Sequence, residues 1–141
     1  MSYIELGYIG LFLACFLSAT IIPFASEGIF LYFLLNGFDP YISISIATAG
    51  NTLGGLTNYG IGLLGNEEQI RSRLKKPQRF DQFAHWVKRY GSWLGLLSWL
   101  PIIGDPLTIM LGFFRVSFIP TVLLIAFGKF TRYFIILYFA L

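Results

Sequence analysis

The sequence predicts an all-α integral membrane protein. The expected architecture is an inverted repeat of two re-entrant helical hairpins plus two spanning helices, with a short cytoplasmic amphipathic segment. Three observations predict it. The chain of 141 residues is 56% hydrophobic, 18% aromatic and only 12% charged, whereas a soluble domain averages roughly 45–50% apolar and about 25% charged. Most of the charge falls in one short stretch. The apolar runs come in two lengths, some long enough to cross a bilayer and some about half that. So little charge cannot cover a water-facing surface, which disfavours a soluble globule, a disordered tail, a coiled coil and a secreted disulfide scaffold. The length allows one membrane domain, residues 1–141.

The first repeat covers about 6–64. Met1-Ser2-Tyr3-Ile4-Glu5 has no basic side chain ahead of the apolar run, so it does not read as a cleaved signal peptide. Residues 6–26 are uncharged and end at Pro23 and Glu27; residues 28–38 are apolar and stop at Asp39-Pro40. Eleven helical residues reach only about 16 Å, half of a hydrocarbon core about 30 Å thick. Residues 8–38 therefore read as a re-entrant hairpin with Pro23-Phe24-Ala25-Ser26-Glu27 at its tip. The charge-free stretch 40–66 is long enough to span.

The linker, 65–89, carries the charge. Residues 67–89 hold seven basic and three acidic side chains, a balance of +4, and the rest of the chain is −1. Short loops rich in Lys and Arg stay on the cytoplasmic side, which places 67–89 there. After Pro77, the residues Phe80, Phe83, Ala84 and Val87 repeat at helical spacing. Two readings stay open: a basic amphipathic helix lying on an anionic leaflet, and a solvated segment that only fixes topology. Nucleic-acid binding is a poor third, because no basic stripe continues beyond this loop.

The second repeat covers about 90–141. Pro101 and Asp105-Pro106 interrupt its first apolar run, and 107–114 is again short. Backbone breaks at membrane depth are tolerated inside protein, not against lipid, so 91–114 reads as a second hairpin with its tip at Pro101-Ile102-Ile103-Gly104-Asp105. Residues 117–141 are long enough to span and contain Lys129 and Arg132. The two halves align without a gap. An offset of 78 carries Pro23 onto Pro101, Glu27 onto Asp105, Gly50 onto Gly128 and Asn51 onto Lys129. One crossing per half makes the second half enter from the opposite side, the arrangement secondary transporters use to set a site near the midplane.

Glu27 and Asp105 are the sharpest chemical candidates. A carboxylate within the membrane is costly and by default functional, and burial favours its neutral form, so either is a candidate proton carrier. The competing reading is helix capping, by Asp105 ahead of Pro106 and by Ser26-Glu27 ahead of a helix starting at Gly28. Pro23, Ser26, Pro101, Gly104 and Pro106 shape the tips. Arg115, Lys129 and Arg132 form a cationic set able to hold a phosphate near helix N-termini; snorkelling to the interface is the alternative for each. On the first spanning helix, Asn51, Gly55, Asn58 and Gly62 share a face, and Gly50 and Gly54 form a small-xxx-small pair. This face reads first as helix packing, with a polar path along Asn51 and Asn58 as the other reading. The single cysteine, Cys15, excludes an intrachain disulfide. With one histidine, His85, there is no catalytic triad, zinc spacing or nucleotide fingerprint, so no catalytic residue, metal or cofactor is expected, and the chain does not read as an enzyme.

Several segments resemble the DedA superfamily, also called the SNARE-associated or VTT-domain family, in its short YqaA-type branch. They are Pro23-Phe24-Ala25-Ser26-Glu27, Gly50-Asn51-Thr52-Leu53-Gly54 with Asn58-Tyr59, Tyr90-Gly91-Ser92-Trp93, and Leu100-Pro101-Ile102-Ile103-Gly104-Asp105-Pro106. The resemblance implies a multi-pass bacterial inner-membrane protein of membrane homeostasis, with facing hairpins and Glu27 and Asp105 as the membrane carboxylates. It also implies movement of lipids between leaflets, by scrambling of phospholipids or recycling of an isoprenoid phosphate lipid, with proton coupling. The better-studied relatives carry arginines around the second hairpin's proline, where this chain has Trp99 and Asp105; Arg115, Lys129 and Arg132 are the available replacements. The expected partners are membrane lipids and, given polar tips in so small a chain, further copies in a homo-oligomer. Two other functions remain in view: a small proton-coupled exporter of hydrophobic cations, and a non-transporting membrane assembly factor.

Overall fold

A computed structural model describes residues 3–20, 25–73, 78–100 and 104–140. Among them every element is helical: α1 (Tyr3–Thr20), α2 (Ala25–Leu35), α3 (Pro40–Leu64), α4 (Glu67–Arg73), α5 (Arg79–Tyr90), a 3₁₀ helix (Gly91–Trp99), α6 (Gly104–Phe113) and α7 (Phe118–Ala140). Pro23-Phe24 and Pro101-Ile102-Ile103 of the expected tips lie outside the described residues, as do the side chains of Ser26 and Asp105.

Local chemistry sets the boundaries. Asp39 caps α3: its Oδ1 accepts the N–H of Tyr41 at 2.8 Å and of Ile42 at 3.1 Å, and Pro40 begins the helix where no N–H is needed. Asn66 and Gln69 exchange side-chain-to-backbone bonds at the start of α4, at 2.8 and 3.0 Å, a capping box. Gly91, at φ +59, ends α5 and turns the chain into the 3₁₀ helix. That nine-residue run is longer than usual for 3₁₀ geometry and reaches about 18 Å. The turn between α6 and α7 holds Arg115 at φ +52, and the Tyr59 hydroxyl donates to the Val116 carbonyl at 2.6 Å beside it. A left-handed non-glycine residue costs roughly 1–2 kcal/mol. Arg115→Gly is therefore expected to raise stability by up to about 1 kcal/mol, read as a higher melting temperature in detergent.

Two apolar clusters form. One joins Leu11 and Cys15 of α1, Phe30 of α2, Ile44 and Ala47 of α3, and Tyr133 and Leu137 of α7. The other joins Tyr59 of α3, Ile70 of α4, Phe80, Phe83 and Val87 of α5, Leu94 of the 3₁₀ helix, and Leu107, Ile109, Met110 and Leu111 of α6. The apolar face of α5 is thus spent on protein. It packs on α6 and the 3₁₀ helix.

Packing repeats between the halves. α1 lies on α3 as the 3₁₀ helix lies on α7, and α6 lies on α3 as α2 lies on α7. The tightest approach is between α3 and α6, where a Cβ on Gly62 would overlap the Ile109 carbonyl and a Cβ on Gly112 the Tyr59 carbonyl. Outward faces are apolar: Leu6, Ile9, Leu13 and Leu17 on α1, and Ile119, Leu123, Phe127, Phe130, Phe134 and Tyr138 on α7, are all exposed. Among the described residues α7 alone is both long and apolar enough to cross a membrane by composition. The expected partner span, α3, has the length, 25 residues or about 37 Å, but its Ser, Thr, Asn and Gly content lowers its hydropathy.

Candidate functional site

Lys129 is the central residue of α7, a 23-residue helix, so it lies about 16 Å from either end. It is 1% exposed, and Arg132, one turn on, is 8% exposed. Both side chains are buried within the fold. Both point inward, as their spacing on one face predicts. The Lys129 stem passes over Gly55 of α3, where a Cβ would come 4.0 Å from its Cε. A glycine at 55 leaves the room that a long side chain needs to lie between two packed helices.

The guanidinium of Arg132 forms an ion pair with the Glu27 carboxylate, 105 residues away in sequence. Two features hold Glu27 there. Its helix, α2, begins at Ala25, so Glu27 sits inside the first turn, next to the positive end of the helix dipole. One turn later Phe30, fully buried, stacks edge-on against Tyr133 with ring centroids 5.2 Å apart. The expected cap by Ser26-Glu27 of a helix starting at Gly28 is corrected: the helix starts three residues earlier, and the carboxylate faces α7. About a third of the Glu27 side chain stays exposed, so the pair is reachable from one side.

Further polar groups are buried on α1, α3, the 3₁₀ helix, α6 and α7. Asn51, at the centre of α3, donates through Nδ2 to the Cys15 carbonyl at 2.9 Å and to Ser18 Oγ at 3.3 Å. Its Oδ1 has no hydrogen-bond partner among the described residues. Asn58, Thr52, Ser98, Thr108 and Thr121 are also buried. Asn51 thereby ties α3 to α1. Gly50 belongs to the same contact: a Cβ there would meet the Phe12 carbonyl at 2.5 Å. Gly128 makes the matching contact in the second half, 2.8 Å from the Leu96 carbonyl. Gly54 is buried on the same helix.

One expected cation does not join, and the side chain of Asp105 lies outside the described residues. Arg115 is exposed in the turn before α7, and the 14 helical steps from Phe118 to Arg132 put roughly 21 Å of helix between that end and the ion pair. The cationic set is therefore Lys129 and Arg132, without Arg115. Asp105 and Pro106 are the second and third residues of α6. Pro106 fits the first turn, where its missing N–H costs nothing, and Asp105 is inside the helix rather than at its N-cap. Gly104 is buried against the Ser98 carbonyl, 2.6 Å from a built Cβ. Sequence reasoning missed Phe30, Tyr133, Ser18 and Gly112. Gly112 had a signal, because Gly104, Thr108 and Gly112 make a ridge of small residues four apart.

Comparison with known proteins gives a consistent family. The model of the VTT domain matches residues 22–140. The chain is 39% identical to the inner membrane protein YqaA of Escherichia coli over 130 residues, which cover 91% of this chain and 87% of the relative. The figures are the same for YqaA of Shigella flexneri. An uncharacterized protein of Haemophilus influenzae is 38% identical over 136 residues, covering 91% of this chain and 83% of its own length. No solved structure matches the chain.

Proposed function

The chain belongs to the VTT-domain family, and from that membership we propose that it is a multi-pass inner-membrane protein that moves a lipid or lipid phosphate between leaflets with proton coupling. The observation that carries this reading is the Glu27–Arg132 ion pair, with Lys129 buried one turn away on the same helix. Charge inside and apolar stripes outside is the reverse of a water-soluble fold, and it suits lipid as the solvent.

The pairs α1–α2 and 3₁₀–α6 are read as re-entrant hairpins related by an inverted repeat, with 67–89 on the cytoplasmic side. Support comes from lengths and from packing. α2 and α6, of 11 and 10 residues, reach about 16 and 15 Å, half a bilayer. The helix pairings exchange between halves, and Gly50 and Gly128, offset by 78, each receive the backbone of the preceding arm. α1, at 18 residues, is longer than the half-span expected of a first arm.

In this mechanism a phosphate and the Glu27 carboxylate compete for Arg132. Protonation of Glu27 removes one competitor and frees the guanidinium for an anionic head group, with Lys129 adding charge behind it. Buried cations of this kind repel a hydrophobic cation, which weighs against the exporter reading. The work is binding and exchange, with no bond made or broken. Liposomes carrying a fluorescent phospholipid in both leaflets test it. Wild type is expected to exchange label faster at acid than at alkaline pH, and Glu27→Gln to show a flat profile. A pH profile unchanged in Glu27→Gln would remove the carboxylate's role, and exchange no faster than in protein-free liposomes would remove translocation.

A further inference from the structure

A second feature lies away from the ion pair. Where α5 passes into the 3₁₀ helix, Trp86, Tyr90, Trp93, Leu94 and Leu97 line an open cleft of about 420 Å³. The size falls among ligand-binding clefts. Tyr90 and Trp93 are 49% and 66% exposed, although the rest of the apolar side of α5 is buried. One basic group borders the cleft: the Arg89 guanidinium sits 5.5 Å from the centre of the Tyr90 ring. The acidic residue of α5, Asp81, is near the helix's other end and is bound by Arg71 at 3.0 Å. A greasy aromatic slot with a guanidinium at its rim, and no carboxylate among its described lining residues, fits one kind of molecule, an amphiphile with an anionic head.

We propose that this cleft binds an anionic phospholipid, with an acyl chain against Trp86, Trp93 and Leu97 and the phosphate at Arg89. Trp and Tyr suit the boundary between head groups and chains, and a guanidinium pairs with phosphate through its fork of donors. The inference rests on the membrane embedding of the proposed function but not on transport, so a protein that moves nothing still shows it.

The test uses Trp99→Phe protein, whose remaining tryptophans are the two that line the cleft. It is reconstituted in phosphatidylcholine vesicles containing a small fraction of brominated phosphatidylglycerol or brominated phosphatidylcholine in both leaflets. Brominated phosphatidylglycerol is expected to quench at about fivefold lower mole fraction, the preference that one well-placed basic group supplies. Arg89→Gln is expected to abolish the preference, and Arg79→Gln, the same charge change at the start of α5, to keep it. Glu27→Gln also keeps it, which separates this site from the transport reading. Equal quenching by the two lipids overturns the proposal. Equal loss in Arg79→Gln and Arg89→Gln also overturns it, because diffuse attraction to the basic segment then accounts for the preference.

Discussion

Gly62→Ala and Gly112→Ala are each expected to lower stability by about 3 kcal/mol or more. The two glycines bring α3 and α6 into backbone contact, and an added methyl group at either meets a carbonyl of the other helix. A flexible side chain yields to such a clash; two packed backbones yield only by moving apart. That separation would open the contacts of Tyr59 with Leu107, Ile109, Met110 and Leu111 together. Gly60→Ala is the control. A Cβ there meets nothing within 4 Å, so the change is expected to add roughly 0.5–1 kcal/mol through helix propensity. Thermal unfolding of the three variants in one detergent checks both signs. Three similar melting temperatures would show that α3 and α6 do not touch as described.

Arg132→Gln is expected to lower lipid exchange at least tenfold and to destabilise the fold by about 1–2 kcal/mol. A fully buried pair costs about 3–5 kcal/mol when one partner is removed. The smaller figure follows because the Glu27 side chain is 34% exposed and water screens part of the loss. Reversing both charges, with Glu27→Arg and Arg132→Glu together, is expected to recover most of the stability but not the exchange. The reversed pair restores attraction between α2 and α7, and it puts a carboxylate where the buried cation had been. A double-mutant cycle isolates the pair term. A cycle showing no coupling would mean that the two side chains do not meet.

The helical membrane character was legible because so little charge is left for a water-facing surface and the apolar runs are of helical length. Glu27, Lys129 and Arg132 were legible as isolated charges in apolar runs, where each demands an explanation. Their partnership was not. Nothing local to Glu27 points 105 residues ahead, and its offset mate in the sequence was Asp105, not Arg132. Arg115 looked like its neighbours in the sequence because a charge at the end of an apolar run reads the same in a turn as in a core. Likewise, a periodic apolar face such as Phe80, Phe83 and Val87 says that something covers it, but not whether that is lipid or α6. The 3₁₀ geometry of Gly91–Trp99 left no periodic mark, since almost every residue there is apolar or small.

Depth in the bilayer is the most direct measure of the central claim, that the short helices bring charge to the middle of the membrane. Spin labels on cysteines replacing Gly28, Phe127 and Tyr41 in a Cys15→Ala background report it through their access to oxygen and to a polar nickel complex. All three sites are exposed, and a side chain at 28 meets nothing within 4 Å. The labels at 28 and 127 are expected within about 8 Å of the mid-plane of a core about 30 Å thick, with the label at 41 at the interface. A label at 28 at head-group depth, with 127 still central, would mean that α2 starts at the surface and that the Glu27–Arg132 pair does not lie at the membrane centre.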